Sequence, residues 1–131
     1  MTSAIYASLS AFLVVWLSLN VIKVRRAKQV SVGDGGDDEL KTAMAAQSNA
    51  LEYLPISLLL LFALEYNGAF LILVHTLGIV LLIGRLIHAK AMLTSDLQRR
   101  VLGMQITIWV IIGLAIANLF FIPYGNFVPV S

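Results

Sequence analysis

The chain has no cysteine. Disulfides and thiolate metal ligands are therefore excluded, and any chemistry at sulfur needs a sulfur that arrives with a ligand. Two histidines without cysteine partners argue against a structural zinc site, and no metal site is expected. Charge is scarce too: 12% of the 131 residues are charged, against roughly 25% in a soluble domain. Hydrophobic residues make up 60% of the chain. A chain this short lacks the interior volume to hide so much apolar surface from water. The solvent for most of that surface must be lipid. No nucleic-acid partner is expected; membrane lipid is.

Four continuous apolar runs fill the sequence: Ala4 to Val24, Ala43 to Leu64, Phe70 to Ala91 and Val101 to Phe121. Each is near the about 20 residues that a spanning helix needs. A membrane β-barrel would alternate polar and apolar residues in strands of about 10, and these runs do not. The expected fold is all-α, an integral membrane four-helix bundle in a single domain over residues 1–131. Its helices are expected at about 4–26, 39–65, 69–92 and 98–121. The long connection, Arg25 to Asp38, carries Gly33-Asp34-Gly35-Gly36, which suits a turn rather than a helix interior. Asp37, Asp38 and Glu39 follow, where negative charge favours a helix start. Asn67-Gly68 marks the next turn, and Pro123 closes the fourth helix before a short tail to Ser131.

The 9 basic residues gather toward one membrane side: Lys23, Arg25, Arg26, Lys28, Lys41, Arg85, Lys90, Arg99 and Arg100. The N-terminus, the Glu65-Tyr66-Asn67 turn and the C-terminus carry no Lys or Arg. The positive-inside rule then puts both termini outside the cytoplasm. The first run has its charges after it rather than before, unlike a cleavable signal peptide.

Polar groups inside the runs carry most of the functional information, because an ionised side chain costs about 2.5–3.5 kcal/mol to insert at a span centre. Asn49 and Glu52 stand three apart and are expected on one helix face. Glu52 lies roughly 20 Å along its helix. It either anchors a ligand or an arginine in a cavity, or makes an interhelical hydrogen bond that only holds the bundle together. Arg85 and His88 share a face by the same spacing, and Glu52 is the expected partner of Arg85. Lys90 reads as a snorkelling side chain and His75 as structural. Arg99 and Arg100 point about 100° apart, so they have different tasks or are both topology signals. Arg25 and Arg26 mark topology, or complete an anion site beside a neighbouring subunit. Pro55 removes a hydrogen bond from helix two, Gly103 allows close helix approach, and Asn118 suits an interhelical bond. Many cations, one carboxylate and amides in one membrane half would suit a small ligand with several carboxylates and an ammonium.

Three segments resemble the small bacterial branch of the MAPEG family, the membrane-associated proteins in eicosanoid and glutathione metabolism. They are Gln47-Ser48-Asn49-Ala50-Leu51-Glu52-Tyr53-Leu54-Pro55, Gly84-Arg85-Leu86-Ile87-His88 and Val21-Ile22-Lys23-Val24-Arg25-Arg26-Ala27. The resemblance extends over nearly the whole chain. It implies a homotrimer of four-helix protomers, twelve transmembrane helices in all, in a bacterial inner membrane. It also implies glutathione as cosubstrate, held between subunits by Gln47, Asn49, Glu52, Tyr53, Arg85 and His88, with Arg25 or Arg26 from the neighbour. Arg100, with Arg99 as second choice, would sit by the thiol and stabilise its thiolate. The reaction implied is glutathione transfer or peroxide reduction on lipophilic small molecules.

The sequence departs from the family pattern at three positions. Glutathione-using members carry arginine where this chain has Ala45, some carry another where it has Ser48, and many carry tyrosine where it has Met92. A second reading is therefore a non-catalytic relative that binds a lipid or amphiphile. A small multidrug-type transporter also has four spans. That class places its essential glutamate in helix one and has weak charge bias, unlike this chain.

Overall fold

A computed structural model describes residues 1–127. The short tail expected after Pro123 continues beyond the described residues. Four long helices account for most of the chain: α1 (Ser3–Lys28), α2 (Asp38–Tyr66), α3 (Leu71–Leu93) and α4 (Leu97–Phe121), followed by a 3₁₀ turn at Tyr124–Phe127. All four are long and apolar enough to cross a membrane. α2 continues through Pro55, which is exposed.

The helices run alternately up and down. α2 and α3 occupy the middle: α2 packs against all three other helices, and α3 does the same, whereas α1 and α4 do not touch. Leu17, Leu54, Leu61, Leu81 and Leu114 pack in the shared core. Phe12, Leu59, Ile72, Ile116 and Phe120 point outward. An apolar exterior of this kind is stable only in lipid.

α3 and α4 approach most closely where two glycines face each other. A Cβ on Gly103 would lie 2.6 Å from the His88 backbone nitrogen and 2.8 Å from the Gly84 carbonyl oxygen. Only hydrogen fits there, so the helix backbones themselves are in contact. Asn118 donates to Leu60 O at 2.9 Å and ties α4 to α2. Tyr6 on α1 meets His75 Nδ1 on α3 at 2.6 Å, which gives His75 a structural task.

Helix ends at the two faces of the bundle are closed differently. At one face, Glu65 accepts from Thr2 N at 2.7 Å, Ser3 N at 3.1 Å and Ser3 Oγ at 2.9 Å. A carboxylate from α2 thus satisfies the unpaired amides at the start of α1. The opposite face, here the basic end, holds the α1–α2 loop and the α3–α4 turn. Asp37 caps α2 through Leu40 N at 2.9 Å, and Asp96 caps α4 through Arg99 N at 3.2 Å. Lys28 bridges Asp37 at 3.4 Å and Glu39 at 3.5 Å. The Asp37 carboxyl is held below the usual carboxylate range, chiefly by the Leu40 amide.

Candidate functional site

Three helices bring polar side chains to one depth. Arg85 on α3 is fully buried. It donates to Asn49 Oδ1 on α2 and to Thr107 Oγ1 on α4, the latter at 3.3 Å. His88 Nδ1 lies 3.4 Å away, and the Tyr53 ring centroid is 5.7 Å from the guanidinium carbon. The Thr107 hydroxyl in turn donates a hydrogen bond to Gly103 O at 2.9 Å. The close α3–α4 contact at Gly103 brings Thr107, one turn further on, within reach of Arg85. Arg85 Nε has no hydrogen-bond partner among the described residues.

Glu52 is not part of this cluster. The expected Glu52–Arg85 pair is absent among the described residues, and Glu52 is exposed on the outer surface of α2. Three residues of helix leave two side chains about 60° apart. That angle turns Asn49 inward and Glu52 out, so the two do not share a surface as expected. Arg85 is instead held by neutral acceptors and an aromatic face.

The remaining expected site residues are spread along the protein. Gln47 donates to Ser18 Oγ at 2.9 Å and links α2 to α1. Arg25 donates to Gly33 O at 2.7 Å, with Met44 Sδ at 3.6 Å, and so clamps the loop onto α2. Arg26 is exposed beside it and lines a shallow, mostly apolar groove with Ile22 and Val30. Arg99 and Arg100 separate. Arg99 pairs with Asp96 at 3.6 Å, while Arg100 lines a cleft between the start of α2 and the α3–α4 turn.

That cleft has a volume of about 380 Å³. Lys41 and Arg100 supply its positive charge, and Ala45, Ala91 and Met92 form its apolar wall. Two of the three departures from the family pattern, Ala45 and Met92, therefore fall on this wall. A second cleft of about 360 Å³ adjoins it and shares Thr42 and Ser95. Asn20, Asp38 and Glu39 give the second cleft its polar lining. Sequence reasoning missed Thr42, Ser95 and Asp38 because their meeting depends on the α3–α4 turn folding against α2. In the sequence Lys41 stands out only as a topology signal. Its position four residues before Ala45, one turn along the same ridge, was the available clue.

A lipid-embedded up-down bundle, with a buried arginine inside it and a cationic cleft at one end, is an integral membrane protein of a particular family. The MAPEG family profile matches residues 3–120. The sequence is 40% identical over 124 residues to the inner membrane protein YecN of Escherichia coli K12, covering 95% of each chain. It is equally similar to YecN of Escherichia coli O6:H1. The chain belongs to the MAPEG family.

Proposed function

We propose that this protein binds glutathione at its basic end and presents the thiol to lipophilic electrophiles dissolved in the membrane. The observation that carries the reading is the pair Lys41 and Arg100 flanking one cleft. Neither has an ion-pair partner among the described residues. Two cations suit a tripeptide with two carboxylates and an ionisable thiol. Ala45, Ala91 and Met92 exclude water from one side of that space. The basic end faces the cytoplasm by the positive-inside rule, so both termini lie on the other side. The inner membrane location of YecN supports an inner membrane location for this chain.

The chemistry follows from the cations. A free thiol has a pKa near about 8.5, so little thiolate exists at neutral pH. A guanidinium close to sulfur favours the thiolate. The thiolate sulfur then attacks an electrophilic carbon, a carbon–sulfur bond forms and the leaving group departs with its electron pair. With a lipid hydroperoxide, the sulfur takes the terminal hydroxyl as the O–O bond breaks, the alkoxide collects a proton, and a second glutathione condenses with the sulfenic acid to give the disulfide and water. Arg100 stabilises the anion in both routes. Lipid contact along α4 admits apolar substrates from the side.

The working unit is a homotrimer. Support for assembly comes from Glu52, whose carboxylate stands exposed near the middle of a span. In lipid that placement is costly, and a second copy supplies a partner. Arg26, exposed at the end of α1, would enter the neighbouring subunit's site.

A second reading, a non-catalytic protein that holds an amphiphile, is favoured by one observation. Ala45 and Met92 leave the wall of the cationic cleft without the arginine and tyrosine of glutathione-using relatives. Isothermal titration of the detergent-solubilised protein with glutathione separates the two readings. Saturable heat at millimolar ligand supports the first. No heat, with a co-purifying anionic lipid, supports the second.

A further inference from the structure

Arg85 is the one buried lysine or arginine among the described residues. A guanidinium carries N–H donors and no acceptor, so every group bonded to it must turn a lone pair inward. Arg85 meets three such groups: Asn49 Oδ1, Thr107 Oγ1 at 3.3 Å and His88 Nδ1 at 3.4 Å. The direction of each bond fixes what its partner has left. With Oδ1 on the guanidinium, the Asn49 amide keeps both Nδ2 hydrogens for another acceptor. With Nδ1 accepting, the His88 ring is neutral and carries its proton on Nε2. Thr107 has little left to offer, because its hydroxyl hydrogen goes to Gly103 O. All these bonds lie inside one subunit, on α2, α3 and α4. A second copy packed against α2 leaves their directions unchanged.

The two remaining donors stand next to the cationic cleft. On α2, Asn49 is one turn beyond Ala45; on α3, His88 is one turn before Met92. Ala45 and Met92 wall the cleft. One turn is about 6 Å of helix, so Asn49 and His88 lie below the cleft, toward the middle of the bundle. A ligand held at the mouth by Lys41 and Arg100 and reaching inward meets N–H groups from both helices.

We propose that Arg85 is a positioning residue: by occupying the acceptor atoms of Asn49 and His88 it fixes both as N–H donors toward the inner end of the cleft, which then takes a carboxylate or carbonyl oxygen of the ligand. This rests on the glutathione reading. A ligand with an ammonium or N–H at that end would set donor against donor. Glu52, on the next ridge of α2, stays free for its contact with a second copy.

The test has two readouts. Nitrogen NMR of histidine-labelled protein in detergent reports which ring nitrogen carries the proton, and the signals lost in His88→Gln are those of His88. Wild-type His88 should be protonated at Nε2 alone. Arg85→Lys keeps a pure donor and should preserve that tautomer. Arg85→Met, of similar volume without a donor, should mix the two tautomers. The second readout is titration with glutathione. Asn49→Asp keeps an acceptor for Arg85 but turns an oxygen outward. It should bind glutathione about tenfold more weakly, without loss of melting temperature. Arg85→Lys should bind it more tightly than Arg85→Met. A wild-type His88 protonated at Nδ1, or an Nε2 tautomer unchanged in Arg85→Met, overturns the inference. So does undiminished glutathione binding by folded Asn49→Asp, which leaves the glutathione reading standing. If Arg85→Met does not fold, the wild-type tautomer and Asn49→Asp decide. If wild type binds no glutathione, that reading fails, and the tautomer alone decides the role of Arg85.

Discussion

Arg85 and Asn49 are joined across α3 and α2 by a hydrogen bond in which a fully buried guanidinium donates to a neutral amide oxygen. No carboxylate replaces that acceptor within ion-pair range among the described residues. Asn49→Ala therefore leaves a buried, charged donor unsatisfied. The expected loss is about 1–3 kcal/mol or somewhat more, read as a lower melting temperature in detergent. Asn49→Asp, which offers a charged acceptor in the same place, should recover stability. A melting temperature unchanged in Asn49→Ala would mean that Arg85 is held by something else.

The α3–α4 contact makes a paired prediction. Gly103→Ala forces a methyl group against the backbone of His88 and Gly84, and backbone cannot yield cheaply. It should destabilise by about 1–3 kcal/mol, as overpacking does. Gly113→Ala meets only the Leu77 side chain at 3.8 Å. It should be neutral or stabilise by up to about 1 kcal/mol through helix propensity. Thermal melts of the two variants should move in opposite directions or differ by several degrees.

Glu52 gives the assembly prediction. Its side chain is exposed in the single chain, so Glu52→Ala should leave the helical content of the subunit unchanged. The proposed trimer should loosen if Glu52 meets a partner on the neighbouring subunit. Native mass spectrometry should show trimer in wild type and smaller species in the variant. Equal trimer fractions would remove Glu52 from the interface.

Asp37 gives a pH dependence outside the spans. Its folded carboxyl is held below the ordinary value by the Leu40 amide first, with Lys28 adding to the effect. A depressed acid stabilises the folded loop above the unfolded carboxylate pKa, near about 3.9. That contribution is lost as pH falls through the folded value. Protection of the Leu40 amide, measured against its intrinsic exchange rate, should therefore fall on acidification in wild type. In Asp37→Asn it should be largely insensitive to acid beyond the intrinsic exchange rate.

Much of the fold was legible because lipid imposes one rule on long segments. Four unbroken apolar runs leave little alternative to four helices, and the Gly33–Gly36 stretch and Asn67-Gly68 fall between them. The Arg85–His88 spacing also carried through, since both side chains are buried on one side of α3. The partner of Arg85 was not legible. Helical spacing says which residues lie on neighbouring ridges, but it does not say which ridge meets the next helix. A rotation of about 60° decides between Asn49 and Glu52. Thr107 entered through the Gly84–Gly103 contact, a matter of depth between helices. The paired clefts escaped for a similar reason. They exist only where the turn around Ser95 meets the first turns of α2.

The formation of glutathione thiolate beside Arg100 is tested most directly by ultraviolet difference spectroscopy at neutral pH. Addition of glutathione to the solubilised wild type should produce a saturable thiolate absorbance. Arg100→Ala should lose that absorbance while still binding the tripeptide through Lys41. A bound ligand whose thiol stays protonated in wild type, or a thiolate signal as strong in Arg100→Ala, would contradict the role assigned to this arginine.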